Sequence, residues 1–132
     1  MYNVLVAVDR NEEYAENQAD YVVNLPEAPE TVRARVLYVY PQRDYSGAPP
    51  QDFEEIDAAV AAADRIEAAG VEVERRTDGG NVTKRITRHA EEIDADDIVM
   101  GGRKRSGVSR VVLGSVTQDV IFAVDRPVTI AL

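Results

Sequence analysis

A glycine-rich basic segment separates two apolar patterns in the last third of the chain. The run DIVM at residues 97–100 is short, largely apolar and bounded by Gly101-Gly102, which predicts a buried strand. From Gly114-Ser115 onward, apolar residues recur at helical spacing. A junction from strand to helix presents unpaired backbone N–H groups and the positive end of the helix dipole to the space beyond the strand. The chemistry that this arrangement favours is the binding of an anion, in particular a phosphate.

The same segment concentrates positive charge in four side chains, those of Arg103, Lys104, Arg105 and Arg110. Such a cluster can neutralise a triphosphate. A solvated basic loop on an acidic protein accounts for the cluster equally well, so both interpretations stay open.

Asp9 and Ser115 have two interpretations each. Asp9 follows an apolar run, where its carboxylate could meet a ribose hydroxyl or a Mg²⁺ ion that bridges phosphates. It could instead cap the loop at Arg10 and Asn11. Ser115 could offer its backbone N–H and its hydroxyl to phosphates, or it could cap the last helix.

Nucleophilic hydrolase chemistry is not expected. The chain has one histidine and no cysteine, so no Ser-His-Asp or Cys-His arrangement can be placed at the basic loop. The histidine, His89, falls on a predicted helix away from that loop and is interpreted as a surface residue. Asp96-Asp97 and the acids around residues 44–55 are interpreted as solvated charge.

The composition limits the partners. A net charge of −9 disfavours binding to nucleic acid or to an anionic membrane surface. No apolar run has the length of a membrane span, and the absence of cysteine suits a reducing compartment, so a cytoplasmic location is expected. Arginine far outnumbers lysine and the acidic excess is spread along the chain, which favours a halophilic source over an ordinary protein from a GC-rich genome.

The remaining pattern alternates strands and helices over 132 residues, which predicts one α/β domain with a parallel sheet. Strands are predicted at residues 4–8, 34–40, 71–75, 97–101 and 127–132. Helices are predicted after Asn11, from Phe53 to a C-terminal signal at Gly70, after Asn81 and after Gly114. Residues 41–52 form the longest predicted loop.

The glycines of the basic segment have the spacing of a known motif. Gly101 is followed by Lys104, then by nine residues, 105–113, and then by Gly114-Ser115. This spacing resembles the nucleotide-binding motif of the universal stress protein (UspA) family, G-x-x-G, nine residues, G-[ST], with Lys104 in place of the second glycine. The stretches NVLVAVD, VLYVY and PVTIAL extend the resemblance to the whole chain.

The resemblance implies an open five-stranded parallel sheet of order 3-2-1-4-5 with helices on both faces, an adenine nucleotide alpha hydrolase-like or Rossmann-like fold formed as a single domain by residues 1–132. In that order, strands 1 and 4 part at a crevice where such sheets bind ligands. Asp9 and Gly101 both end strands at this crevice. Val39 matches the family position whose backbone contacts adenine. The implied cofactor-binding residues are Asp9, Val39, Met100, Gly101, Lys104, Arg105, Gly107, Gly114, Ser115 and Val116.

The function implied is that of a binding switch rather than an enzyme. The resemblance implies ATP or another adenine nucleotide as cofactor, with Mg²⁺ held through the phosphates and Asp9, and at most slow ATP hydrolysis or autophosphorylation. It also implies a homodimer formed through the C-terminal strand, residues 128–131, and an unknown client protein. The alternative is a dimer that has lost nucleotide binding because of Lys104 and that acts through protein contacts.

Overall fold

The computed structural model describes residues 1–41, 51–104 and 111–132. Five parallel strands form the sheet: β1 (Tyr2–Val8), β2 (Val32–Pro41), β3 (Glu72–Gly80), β4 (Asp97–Gly101) and β7 (Val128–Ala131). Their spatial order is β3-β2-β1-β4-β7, which confirms the predicted order 3-2-1-4-5 with β7 as the fifth strand. Two further strands, β5 (Arg103–Lys104) and β6 (Val111–Val112), form a small antiparallel ladder that the sequence had not predicted.

Helices cover both faces of the sheet, as predicted. They are α1 (Glu12–Val23), the short α2 (Ala28–Thr31), α3 (Asp57–Ala68), α4 (Val82–Glu92) and α5 (Ser115–Ala123). Residues of α1 and α3 share one apolar cluster, and residues of α4 and α5 share the other. Because β1 lies in the middle of the sheet and both clusters pack on it, its residues Val4, Leu5 and Val6 are fully buried.

The helix ends confirm the signals read from the sequence. Asn11 Oδ1 accepts a hydrogen bond from the Tyr14 N–H at 3.0 Å, and Asn81 Oδ1 accepts one from the Lys84 N–H at 2.9 Å. Gly70 follows α3 with a φ of +86°, the left-handed conformation that glycine adopts without strain. Across the described residues, no helix is long and apolar enough to cross a bilayer.

Three local interpretations were wrong. The third strand continues beyond Arg75 to Gly80, because residues 76–80 pair with β2 as far as Pro41. The segment from Phe53 begins as a 3-10 turn (Phe53–Glu55), and the α-helix starts at Asp57. Asp97 is buried rather than solvated, since the hydroxyls of Tyr21 and Thr129 donate to its carboxylate at 2.7 and 2.8 Å.

The interpretation of His89 as a surface residue was wrong as well, because His89 is buried and belongs to a polar network that joins α4 to the sheet. Arg35 of β2 donates to His89 Nδ1 at 2.9 Å, to Glu92 at 2.9 Å and to Glu74. Because a guanidinium can only donate, His89 Nδ1 is an acceptor, and Nε2 carries the proton that it donates to Asp78 Oδ2 at 2.9 Å. The network holds α4 over β2 and β3. Its members come from different elements of the chain, so local sequence patterns do not predict it.

Candidate functional site

The two central strands part at their carboxyl ends, and one side chain bridges the gap. β1 pairs with β4 over Val4–Asp97, Leu5–Ile98 and Val6–Val99. Beyond this point the side chain of Gln18 on α1 connects the two strands. Its Nε2 donates to the Ala7 carbonyl at 2.7 Å and to the Val99 carbonyl at 2.9 Å. The amide thereby satisfies two buried carbonyls that the separating strands would otherwise leave unpaired.

A cavity of about 320 Å³ lies at this parting. Its apolar side is formed by residues of β2, α4 and β4, namely Leu37, Val39, Val82, Ile86 and Met100. Its polar groups come from the end of β1, from α1 and from α5, namely Asp9, Arg10, Gln18 and Thr117. A concave site with an apolar wall and a few convergent polar groups is the usual form of a small-molecule site.

The predicted site residues fall into three groups. Those that line the cavity are Asp9, Val39, Met100, Gly101 and Val116. Gly114 and Ser115 lie immediately before the lining residues of α5 and are exposed. The backbone of Lys104 pairs with Val111 in the small ladder, whereas Arg105 and Gly107 lie outside the described residues, as does Arg110 of the basic cluster.

Asp9 uses one carboxylate oxygen within the loop: Oδ1 accepts from the Asn11 N–H at 2.8 Å. Asp9 therefore caps the loop at Asn11, as one of its two interpretations predicted. Within the described residues, Oδ2 has no hydrogen-bond partner, and no group of three histidine, cysteine or acidic residues forms a metal site. Asp9 thus fits a Mg²⁺ ion that brings most of its own ligands as water and phosphate oxygens, and it does not form a protein cage for the metal.

The start of α5 has no side-chain cap. Gly114 occupies the N-cap position in an extended conformation, without a side-chain hydrogen bond, and Ser115 is the first helical residue. The alternative that Ser115 caps the helix is therefore wrong. The first turn presents backbone N–H groups and the positive end of the helix dipole, and Val116 and Thr117 of this turn line the cavity.

The glycines of the motif differ in what surrounds them. A Cβ placed on Gly101 would lie 2.9 Å from Tyr14 Cβ, so α1 packs against the space that a side chain would fill. A Cβ on Gly114 would meet no atom within 4 Å among residues 1–41, 51–104 and 111–132. The packing of α1 thus requires a glycine at position 101, and Gly114 is the position where the backbone stays open to a ligand.

We expect Gly101→Ala to destabilise the fold, because Tyr14 Cβ is fixed to the backbone of α1 and cannot retreat without moving the helix. Overpacking of this kind lowers the free energy of unfolding by about 1–3 kcal/mol. The control is Gly114→Ala, whose Cβ meets no atom in the described part of the chain. This variant loses N-cap preference, typically less than about 1 kcal/mol relative to glycine. Urea unfolding of both variants measures the difference, and equal losses would contradict this view of Gly101.

The cavity residues named above that were not predicted as site residues from the sequence are the polar Arg10, Gln18 and Thr117 and the apolar Leu37, Val82 and Ile86. Gln18 lies three residues after Ala15 and four before Val22, on the apolar stripe of α1, and a polar residue on such a stripe signals a buried polar role. Arg10 donates to Gln51 Oε1 at 3.0 Å, and its guanidinium lies 5.2 Å from the centre of the Tyr38 ring. No pattern in the sequence marks Arg10, because its position depends on the end of a neighbouring strand.

Comparison with known proteins gives one family and one fold. A model of the universal stress protein family matches residues 1–131. A universal stress protein from Archaeoglobus fulgidus superposes with a TM-score of 0.77 at 28% identity, covering 100% of this chain and 99% of that one. Another structure from Archaeoglobus fulgidus, in complex with dAMP, gives 0.71 at 27% identity, covering 100% and 98%.

A universal stress protein in complex with cAMP gives a TM-score of 0.68 at 24% identity over 97% of this chain and 94% of that one, which supports the fold alone. Among curated proteins, none matches the chain.

Proposed function

Because the chain belongs to the universal stress protein family, we propose that it binds an adenine nucleotide, ATP in particular, in the cavity where β1 and β4 part. The observation that carries this proposal is the meeting of an apolar wall, a carboxylate and an uncapped helix start at one cavity. The apolar wall suits the base, the carboxylate suits a ribose hydroxyl or a Mg²⁺ ion, and the helix start suits the phosphates. The related protein solved with dAMP, 27% identical to this chain, supports adenine as the base.

The residues of the chain suit positioning more than catalysis. Val39 and its apolar neighbours Val82 and Ile86 would enclose the base, and the backbone N–H groups of Gly114 and Ser115 would hold the phosphates. When bound, Mg²⁺ supplies charge neutralisation between phosphates, and Asp9 offers it one oxygen. Phosphoryl transfer also needs a group that orients the attacking nucleophile, commonly Asp or Gln. Of the two such residues that line the described cavity, Gln18 is held by two backbone carbonyls, and Asp9 is assigned to Mg²⁺ in this proposal.

Nucleotide binding would therefore act as a switch. The ligand would bridge α4, the end of β1 and the first turn of α5, so that the loaded and empty protein would present different surfaces to a client protein. We place this activity in the cytoplasm of a halophilic cell, where strong salt screens the net charge of −9.

A second candidate function is protein binding without nucleotide. Lys104 replaces the second glycine of the motif, and Phe122 on α5 is 90% exposed beside the half-exposed Ile121. Aromatic residues are enriched in protein interfaces, so an exposed phenyl ring beside a second apolar side chain suits a protein contact. In this alternative the chain would still dimerise and would act only through its surface.

Both candidates include a homodimer formed through the C-terminal strand. β7 pairs with β4 on one side, and the Ile98 N–H donates to the Pro127 carbonyl at 3.0 Å. In a parallel pair, alternate residues face the neighbour, so the backbone N–H of Ile130 points to the open edge of the sheet. An open edge of this kind is a template for pairing with a second copy.

We expect Ile130→Pro to convert the dimer to a monomer, because proline removes the edge N–H without breaking the bond to β4. Ile130→Ala is the matched control, since it loses the same side chain and keeps the N–H. Light scattering in molar salt should give twice the chain mass for the wild type and for Ile130→Ala. A monomeric wild type, or a dimeric Ile130→Pro variant, would contradict this interface.

Calorimetric titration with Mg-ATP tests the choice between the two functions. Binding in the micromolar range supports the nucleotide switch. If ATP, AMP and adenosine all fail to bind the folded protein, the second candidate is the one to pursue.

A further inference from the structure

A buried amide lines the cavity. Gln18 is 1% exposed and lines the cavity between the ends of β1 and β4. Both of its N–H groups serve the protein, since Nε2 donates to the carbonyls of Ala7 and Val99. These two bonds fix the orientation of the amide, because a rotation of 180° would set Oε1 against two carbonyl oxygens.

The fixed amide leaves one acceptor for a ligand. Among the described residues, no donor forms a hydrogen bond with Gln18 Oε1. In the part of the chain that the structure describes, the only fully buried side-chain polar atom without a partner is the Tyr40 hydroxyl oxygen. Gln18 Oε1 therefore keeps contact with the cavity that Gln18 lines, where a water molecule or a ligand can supply the donor. The cavity thus offers a preoriented acceptor to a group that carries an N–H or an O–H.

The position of Gln18 indicates which group of a nucleotide it would meet. The apolar wall around Val39 lies on the β2 side of Gln18, and the start of α5 with Gly114 lies at the phosphate end of the proposed site. The part of a nucleotide that joins base to phosphate is the ribose, whose hydroxyls are donors. Asp9, the other acceptor of this central part, also lines the cavity.

We propose that Gln18 Oε1 accepts a hydrogen bond from a ribose hydroxyl and makes the site selective for ribonucleotides over one of the deoxyribonucleotides. This inference rests on the proposed function, and it adds the sugar as a determinant of specificity. A site built to bond a hydroxyl rejects the analogue that lacks it, because the buried acceptor is then left unpaired.

The first test uses the wild type with ATP, 2′-deoxy-ATP and 3′-deoxy-ATP in a calorimeter. We expect one of the two analogues to bind about tenfold more weakly than ATP. Equal affinities for all three would overturn the inference while leaving the proposed function intact. Failure of all three to bind would overturn both.

The second test assigns the selectivity to Gln18. In Gln18→Met, a side chain of similar length lacks the acceptor, so the ratio of the two affinities should fall to about one, whatever the absolute affinity. Gln118→Met is the control, because it changes an exposed glutamine that does not line the cavity, and the ratio for the same analogue should persist there. Persistence of the ratio in Gln18→Met would assign the hydroxyl to another residue and contradict the inference.

Gln18→Met also loses the bridge between Ala7 and Val99, so its folding must be checked by circular dichroism. If it does not fold, the side-chain amide signal of wild-type Gln18 in an NMR titration decides the question. We expect this signal to shift with ATP and to shift clearly less with the weaker analogue. An equal shift with both ligands would contradict a contact with the sugar. A loss of affinity for inosine triphosphate, which differs from ATP only in the base, without a loss for either deoxy analogue would contradict it too.

Discussion

Gly114→Asp should weaken ATP binding about 30-fold while leaving the fold as stable as the wild type. A carboxylate about 5 Å from a phosphate charge is repelled by about 3 kcal/mol at an effective dielectric of 20. Gly114 is exposed, so solvent reduces the repulsion to about 2 kcal/mol, which corresponds to about 30-fold in affinity. A Cβ at this position meets no atom of the described residues within 4 Å, so a packing defect against them does not account for the loss.

Gly114→Asn is the matched control, since its side chain has the same shape and carries no charge. Both residues are good N-caps, so both variants should unfold at or slightly above the wild-type temperature. Calorimetry should show a small loss of ATP affinity for Gly114→Asn and the loss of about 30-fold for Gly114→Asp. Equal losses in the two variants would mean that bulk rather than charge acts at Gly114, and the phosphates would then lie elsewhere.

Arg35→Met should lower the free energy of unfolding by about 2 kcal/mol, the second large effect. The Arg35 side chain is 6% exposed, and its removal leaves the buried His89 Nδ1 without a donor. An unpaired buried acceptor typically has an effect of this size, whereas Glu74 and Glu92, whose side chains are nearly half exposed, add little. Because the network holds α4, which carries Val82 and Ile86 of the cavity wall, ATP affinity should fall as well.

Arg33→Met provides the control on the same strand. Arg33 lies two residues earlier, on the same side of β2, and pairs with Glu72, but its side chain is 57% exposed. An exposed pair contributes about 1 kcal/mol or less, so urea unfolding should separate the two variants clearly. Equal destabilisation by the two substitutions would contradict a structural role for the buried network.

The effect of Arg35→Met should also depend on pH. Burial alone would raise the pKa of Glu74, but the hydrogen bond and charge of Arg35 outweigh it, so this pKa lies below its ordinary value. The hydrogen bond from Arg35 lowers the pKa of Glu92 as well. Groups with lowered pKa values stabilise the fold above their unfolded pKa, about 4, and lose this contribution as the pH falls through the folded value. The difference between variant and wild type should therefore shrink below about pH 4.

Most of the fold followed from local patterns and from the family resemblance. The apolar run of β1 and the capping residues Asn11 and Asn81 are local features, and the structure confirms them. Burial of His89 and Asp97 was not predicted, because it depends on partners in distant elements, Arg35 for the first and Thr129 for the second. Polar residues whose partners are remote in sequence carry no periodic signal.

The candidate site shows the same division. Asp9 follows from its place at a strand end, whereas Val39 and Gly114 follow from the resemblance to the family and its motif. Gln18 becomes visible only when the separation of β1 and β4 shows two carbonyls that need a donor. The reason for Gly101 also needed the structure, since the Tyr14 side chain that packs against it comes from α1.

The most direct measurement of the central claim is an NMR titration of the ¹⁵N-labelled protein with Mg-ATP. The account predicts saturable shifts of the backbone amide signals of Val39, Gly101, Gly114 and Val116. The signals of Arg33 and Glu72, at the opposite end of the sheet, should not move. Shifts confined to that opposite end, or no shift at millimolar nucleotide, would contradict a nucleotide site at the parting of β1 and β4.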